Sequence, residues 1–200
     1  MILQGNEDLR VVKTIEAIKR EFEALICEKD YEKITVRELC DRARINKKTF
    51  YHYYETLDAL LEEMQAELSV GFLARVKDYS LPEDLDKVNR EFFLFASEQG
   101  PAYEKITCGG TYHTIRDQMT DQVNGEAWSR SKKYQKLSEF DKKLLMDFIN
   151  NTVLAAYRRW VEDGKTAPME DVIALTNRLV LGGVNGFFRY TEQPVKTRKP

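Results

Sequence analysis

Apolar residues recur at intervals of three and four along nearly the whole chain, and no stretch alternates apolar with polar residues long enough to make a strand. That period admits helices and little else, so the fold expected is all-α. Ile15, Ile18, Phe22, Leu25 and Ile26 form the first stripe, over residues 8–28. Thr35 can cap a short second helix bearing Val36, Leu39, Cys40 and Ala43 on one face, and Glu38 completes a T-x-x-E capping box. Asn46 can cap a third helix from Lys47 to Tyr54, and a long fourth follows through Leu57, Leu60, Leu61, Met64 and Leu68. "SLPEDL" at 80–85 opens a fifth helix running to about Ser97, with Pro82 tolerated in its first turn. Breaks at "EQGPAY" and "CGGTY" leave a short helix between them and a longer one, "YHTIRDQMTDQV", beyond. Two long helices, 138–163 and 169 to about 190, close the chain and should pair antiparallel.

Charge and composition narrow the function. The 42% hydrophobic content is enough for a core, while a net charge of -2 means that the chain as a whole is no electrostatic glove for DNA or an anionic membrane. Any DNA binding must come from a local patch. The first residues offer no basic leader followed by a long apolar stretch, so a cytoplasmic location without membrane attachment is expected. Cys27, Cys40 and Cys108 lack metal spacing and read as reduced core residues; Cys108 and His113 without a third ligand make no metal site, and no cofactor is expected. His52 and His113 are the only histidines, and no H-E-x-x-H, phosphate loop or nucleophile motif accompanies them, so an enzyme is not expected.

The stretch "NKKTFYHYYETLDALL" at 46–61 crowds four aromatic rings and two lysines into two helical turns. Phe50 and Tyr54 are four apart and share the inward face, whereas Lys47, Lys48, Tyr51 and His52 point mostly the other way. So short a helix has too few inward positions to bury Tyr51 and Tyr53 as well. Between Lys33 and Tyr54 the basic residues Lys33, Arg37, Arg42, Arg44, Lys47 and Lys48 face only Glu38 and Asp41, a local balance of 6 - 2 = +4. Two short helices with this spacing read as a helix-turn-helix whose second helix enters a DNA major groove.

"ITVRELCDRARINKKTFYHYYETLDALLEEM" resembles the DNA-binding segment of the TetR family of bacterial transcriptional regulators, over roughly residues 10–64. By position, the resemblance implies that Thr35 opens the second helix at a phosphate, that Lys47, Lys48 and His52 face bases, and that Thr49, Tyr51 and Tyr53 hold the DNA backbone. Arg44 and Asn46 belong to the same segment. Arg44 stands in the turn where the family often has glycine, and Leu57 stands where it often has lysine. The resemblance further implies a helix-turn-helix domain over 1–56, followed by a regulatory, ligand-binding and dimerisation domain over 57–200. Its function would be that of a repressor released from a palindromic operator by a small-molecule effector; the alternative is an activator on the same scaffold controlled by a protein partner.

Beyond residue 65 the residues supply candidates of their own. Phe92, Phe95, Tyr103, Tyr112, His113, Arg116, Met119, Trp128 and Tyr157 combine aromatic bodies with polar tips, as an effector pocket needs. In the last helix Leu175, Leu179, Gly182 and Gly186 form a stripe whose glycines suit a close helix contact. The helix before it carries two apolar faces, Leu145, Ile149, Thr152, Ala156 and Trp160 on one and Leu144, Phe148 and Ala155 on its neighbour. Homodimerisation is expected through the Ile149, Thr152, Ala156 stripe and the last-helix stripe, as a four-helix bundle.

Overall fold

The computed structural model describes residues 8–109 and 127–191. Among them every regular element is helical: α1 (Leu9–Glu28), a 3-10 turn (Tyr31–Lys33), α2 (Val36–Ala43), α3 (Lys47–Tyr53), α4 (Leu57–Val76), α5 (Leu85–Glu98), α6 (Pro101–Cys108), α7 (Lys132–Gln135), α8 (Glu139–Glu162) and α9 (Met169–Thr191). The expected helix in "YHTIRDQMTDQV" lies outside the described residues. No described helix is long and apolar enough to cross a membrane.

The ends follow local hydrogen-bond chemistry. Asp8 caps α1 by accepting the Arg10 N–H at 2.8 Å, and Asn46 caps α3 by accepting the Thr49 N–H at 2.8 Å. Thr35 accepts the Glu38 N–H at 3.2 Å, but the Glu38 carboxylate turns to Lys29 Nζ at 2.6 Å, so the expected box is capped from one side by Thr35. The fifth helix starts at Leu85 rather than near Pro82, because the Asp84 carboxylate accepts the Ser80 N–H at 2.9 Å and holds 80–84 as a turn. Conversely α6 begins inside the expected break, with Pro101 in its first turn and Gly100 at φ 80° before it. Ser138 caps α8 through the Asp141 N–H at 3.1 Å.

The chain divides into two compact units. One takes the described residues up to Gly71 and those from Gln99 to Gly109; the other takes those from Phe72 to Glu98 and from Ala127 onward. The line drawn in sequence after residue 56 therefore falls inside the first unit. Its core joins Ile18, Phe22, Leu25 and Ile26 of α1 to Leu39, Cys40 and Ala43 of α2 and to Phe50 of α3. Leu60, Leu61 and Met64 of α4 and Ile106 of α6 complete it. Helices α1–α3 cannot enclose that much apolar surface alone, and the first turns of α4 belong with them for this reason. In the second unit α9 packs on α8 and α5, with Ile173, Thr176, Val180, Val184 and Phe188 as its buried stripe. Asn177 ties α9 to α5 by accepting from Asn89 Nδ2 at 3.0 Å and donating to the Asp86 carbonyl at 3.2 Å.

Candidate nucleic-acid interface

Helices α2 and α3 meet at Arg44, whose φ of 55° and ψ of 41° place it in the left-handed region. That residue reverses the chain sharply and lets the Ile45 N–H reach the Cys40 carbonyl at 3.0 Å. A residue with a Cβ costs about 1 kcal/mol there, which explains why glycine suits such a turn. Beyond the turn, Phe50 is fully buried and Tyr54 nearly so, anchoring α3 to the core from one side. The Tyr54 hydroxyl donates to Glu63 at 2.9 Å, and burial pushes its pKa up to about 12. With those two rings inside, the other faces of α3 are free: Lys47, Lys48, Tyr51 and His52 are exposed and Tyr53 is half-buried.

The structure redistributes the positive charge counted in the sequence. Lys33 pairs with Asp30 at 2.8 Å and Arg42 forms a bidentate pair with Glu28, both acids lying just before the counted window; Arg37 stands 3.9 Å from Asp41. The hydrogen bonds from Lys33 and Arg42 hold the Asp30 and Glu28 carboxyls below their usual range. Among the described residues, Arg44, Lys47 and Lys48 have no carboxylate partner, and Arg10 and Lys13 of α1 have none either. Arg10, Val11 and Thr14 of α1 line the same open groove as Arg44, Asn46, Lys48, Thr49, Tyr51 and His52. The opening turn of α1 is thus a flank that the sequence reading missed; its signal was the pair of basic residues at positions 10 and 13, one turn apart.

Hydroxyl chemistry separates the remaining candidates. Thr35 accepts a hydrogen bond and keeps its own proton to donate, as a phosphate oxygen requires. Thr49 donates its proton to Asn46 Oδ1 at 3.1 Å, so it meets a phosphate only by giving up that bond. Asn46 is engaged by both the N–H and the hydroxyl of Thr49, which makes it the cap of α3. Tyr51 is 55% exposed and stands edge-on to Phe50 at 5.5 Å, and His52 stands edge-on to Tyr53 at 4.9 Å. The rings are held in place while their polar tips face outward.

The other described candidate residues are divided between the two units. Phe92, Phe95 and Tyr157 come together around Phe72, with centroid distances of 6.4 Å for Phe72–Phe92, 5.7 Å for Phe72–Phe95 and 5.6 Å for Phe92–Tyr157. Trp128, also in the second unit, packs on Tyr134 at 5.4 Å, whereas Tyr103 belongs to the first unit. Tyr112, His113, Arg116 and Met119 lie outside the described residues.

On α8 the two apolar faces differ in exposure. Ile149 is buried within its own unit and Ala156 is half-buried, while half-buried Thr152 bonds back to the Phe148 carbonyl at 2.7 Å. The outward stripe is instead Phe140, Leu144 and Phe148, at 73%, 49% and 39% exposure. Ile149 is covered by the chain's own core. On α9, Leu175 and Leu179 are 60% and 65% exposed, and a Cβ added at Gly182 or Gly186 would meet nothing within 4 Å. At Gly183, which the stripe omitted, a Cβ would come within 2.4 Å of the Phe148 ring, so this glycine admits the ring that joins the two exposed stripes.

Residues 23–64 match the family model described as bacterial regulatory proteins, tetR family. Solved structures share the fold at low identity. A putative tetR family transcription regulator from Shewanella sp. PV-4 superposes with a TM-score of 0.64 at 17% identity, over 85% of this chain and 97% of that one. The transcriptional regulator FadR from Bacillus subtilis, solved in complex with stearoyl-CoA, gives 0.56 at 18% identity, over 88% and 98%. AibR, solved with isovaleryl coenzyme A and operator DNA, gives 0.57 at 21% identity, over 84% and 98%. No curated protein sequence matches the chain.

Proposed function

We propose, on the premise that this chain is a tetR-family regulatory protein by its N-terminal domain, that it binds a two-fold operator as a homodimer and represses transcription until an effector releases it. The observation that carries the DNA-binding part is the set of cations around α3 and the start of α1 that have no carboxylate partner among the described residues, beside exposed Tyr51 and His52. Phosphates would take Arg10, Lys13, Arg44 and the Thr35 and Tyr51 hydroxyls; base edges would meet Lys47, Lys48 and His52. One such module covers too few base pairs for a specific site, so two copies related by a two-fold axis are required. The exposed Phe140, Leu144, Phe148, Leu175 and Leu179 supply an apolar face for that contact.

Selection of bound sequences from a random DNA pool with the full chain tests this reading: an inverted repeat with half-sites about one helical turn apart is expected. Recovery of unrelated sequences would sink it. A reporter driven by the recovered site then separates repression from activation. Two structural neighbours were solved with acyl-coenzyme A thioesters, so we take an acyl thioester as the effector class and stearoyl-CoA and isovaleryl-CoA as first probes. Release of DNA by either supports an effector-controlled repressor, and a protein partner is the reading favoured if neither acts.

A further inference from the structure

The buried side of α4 changes character along its length. Leu60, Leu61 and Met64 are apolar, but Gln65 and Ser69, one turn apart on the same side, are 4% and 0% exposed before the side returns to Phe72 and Val76. Ser69 is satisfied internally, its hydroxyl donating to the Gln65 carbonyl at 3.0 Å. The Gln65 side chain is not: its Nε2 is buried and has no hydrogen-bond partner among the described residues. Leaving such a donor unmade is costly, and a native core keeps one only with a reason. Burying a methionine or leucine at 65 would remove the penalty at once, since neighbouring core positions of the same helix carry such residues. Among the described residues Gln65 Nε2 and Arg158 Nε are the only buried side-chain atoms lacking a partner, and Arg158 belongs to the other unit.

We propose that the Gln65 carboxamide is an effector-binding group, donating its hydrogen bond to a neutral carbonyl of the bound molecule. A charged acceptor is disfavoured, because a buried charge without an opposite charge beside it is costly, and Lys19 of α1 is already paired with Glu63 at 3.2 Å and Glu67 at 2.5 Å. An acyl thioester carbonyl satisfies the donor without bringing a buried charge. The inference rests on the effector reading above and names the residue that would recognise its carbonyl.

The test compares the parent with Gln65→Met, of similar volume, by thermal melting alone and with isovaleryl-CoA, stearoyl-CoA and free coenzyme A. Without ligand the variant should melt about 2–6 °C higher, because the unmade bond is gone. A thioester should stabilise the parent and bind the variant at least about tenfold more weakly, as loss of one hydrogen bond to a buried donor implies, with free coenzyme A showing no such difference. A variant that melts lower than the parent, or binds the thioester equally well, overturns the proposal. If neither thioester binds the parent, the acyl-coenzyme A class falls, and N-isopentylacetamide, a neutral carbonyl probe, decides for Gln65: binding to parent but not variant upholds the site, and binding to neither overturns it.

Discussion

Two surfaces of this chain are left incomplete, and they are incomplete in different currencies. Around α3 and the start of α1 the shortage is of negative charge: Arg10, Lys13, Arg44, Lys47 and Lys48 have no carboxylate partner among the described residues. Along α8 and α9 the shortage is of apolar cover, with Phe140, Leu144, Leu175 and Leu179 each about half exposed or more. The charged surface can wait in water at little cost, since exposed cations are well solvated and screened. Exposed apolar area has no such refuge and favours association whenever a complementary face is available. The first should therefore respond steeply to salt and the second hardly at all.

The sharpest way to break the contrast is to charge the apolar surface. Leu179→Glu places a carboxylate in the middle of the exposed α9 stripe without touching the buried residues Val180 and Val184 beside it. Sedimentation should show a monomer, and operator affinity should fall about a hundredfold or more, because a single module loses most of its specific contacts. A dimer persisting at micromolar concentration would move the association surface elsewhere. The glycines refine this. The added Cβ of Gly182→Ala meets nothing within 4 Å in its own chain, so a loss of association there would come from the second copy, whereas Gly183→Ala must first displace the Phe148 ring and alters the patch from within. Melting of the Gly182 variant at low concentration should not fall below that of the parent monomer, since alanine is the better helix former.

On the polar surface the expected effects are smaller. Lys48→Ala should weaken operator binding by about 1–3 kcal/mol if Lys48 reads a base edge, and should lower the salt slope by about one if it meets a phosphate instead. Tyr51→Phe should cost about 1 kcal/mol, since only the hydroxyl is lost and the ring keeps its place against Phe50. Equal affinity of both variants and the parent for the selected site would remove α3 from the reading role.

The two surfaces were unequally legible in the sequence. Helix α3 is seven residues long, so the assignment of Phe50 and Tyr54 inward left Tyr51 outward by geometry alone. The caps of α2 and α3, Thr35 and Asn46, act within three residues, and local interactions of that kind can be read directly. Helix α8 is 24 residues long with apolar residues on two sides, and which side faces the chain's own core depends on α5 and α9, far away in sequence. The period of three and four identifies such a helix but cannot rank its faces, and Ile149 was assigned outward for that reason. The Arg10 and Lys13 flank stayed hidden for the same cause, since α1 reaches α3 only through tertiary packing. Lys33 and Arg42 show the converse error: a charge count over a window of sequence ignores Asp30 and Glu28 just outside it.

The smallest effect expected is at Arg44, where the two demands on the charged surface oppose each other. Its left-handed backbone costs about 1 kcal/mol for a residue with a Cβ, and glycine would relieve that while adding about 0.5–1 kcal/mol of chain entropy in the unfolded state. Arg44→Gly should therefore stabilise the fold by at most about 1 kcal/mol, a rise of about 2–4 °C in melting temperature for a chain of this size. The same substitution removes an exposed cation without a carboxylate partner from the edge of the α3 groove, and operator binding should weaken with the salt slope reduced by about one. Gain in stability with loss of affinity would mean that the arginine is held in a strained turn for its contact with DNA. If melting rises and affinity is unchanged, Arg44 carries no phosphate, and the positive surface contracts to Lys47, Lys48 and the flank of α1.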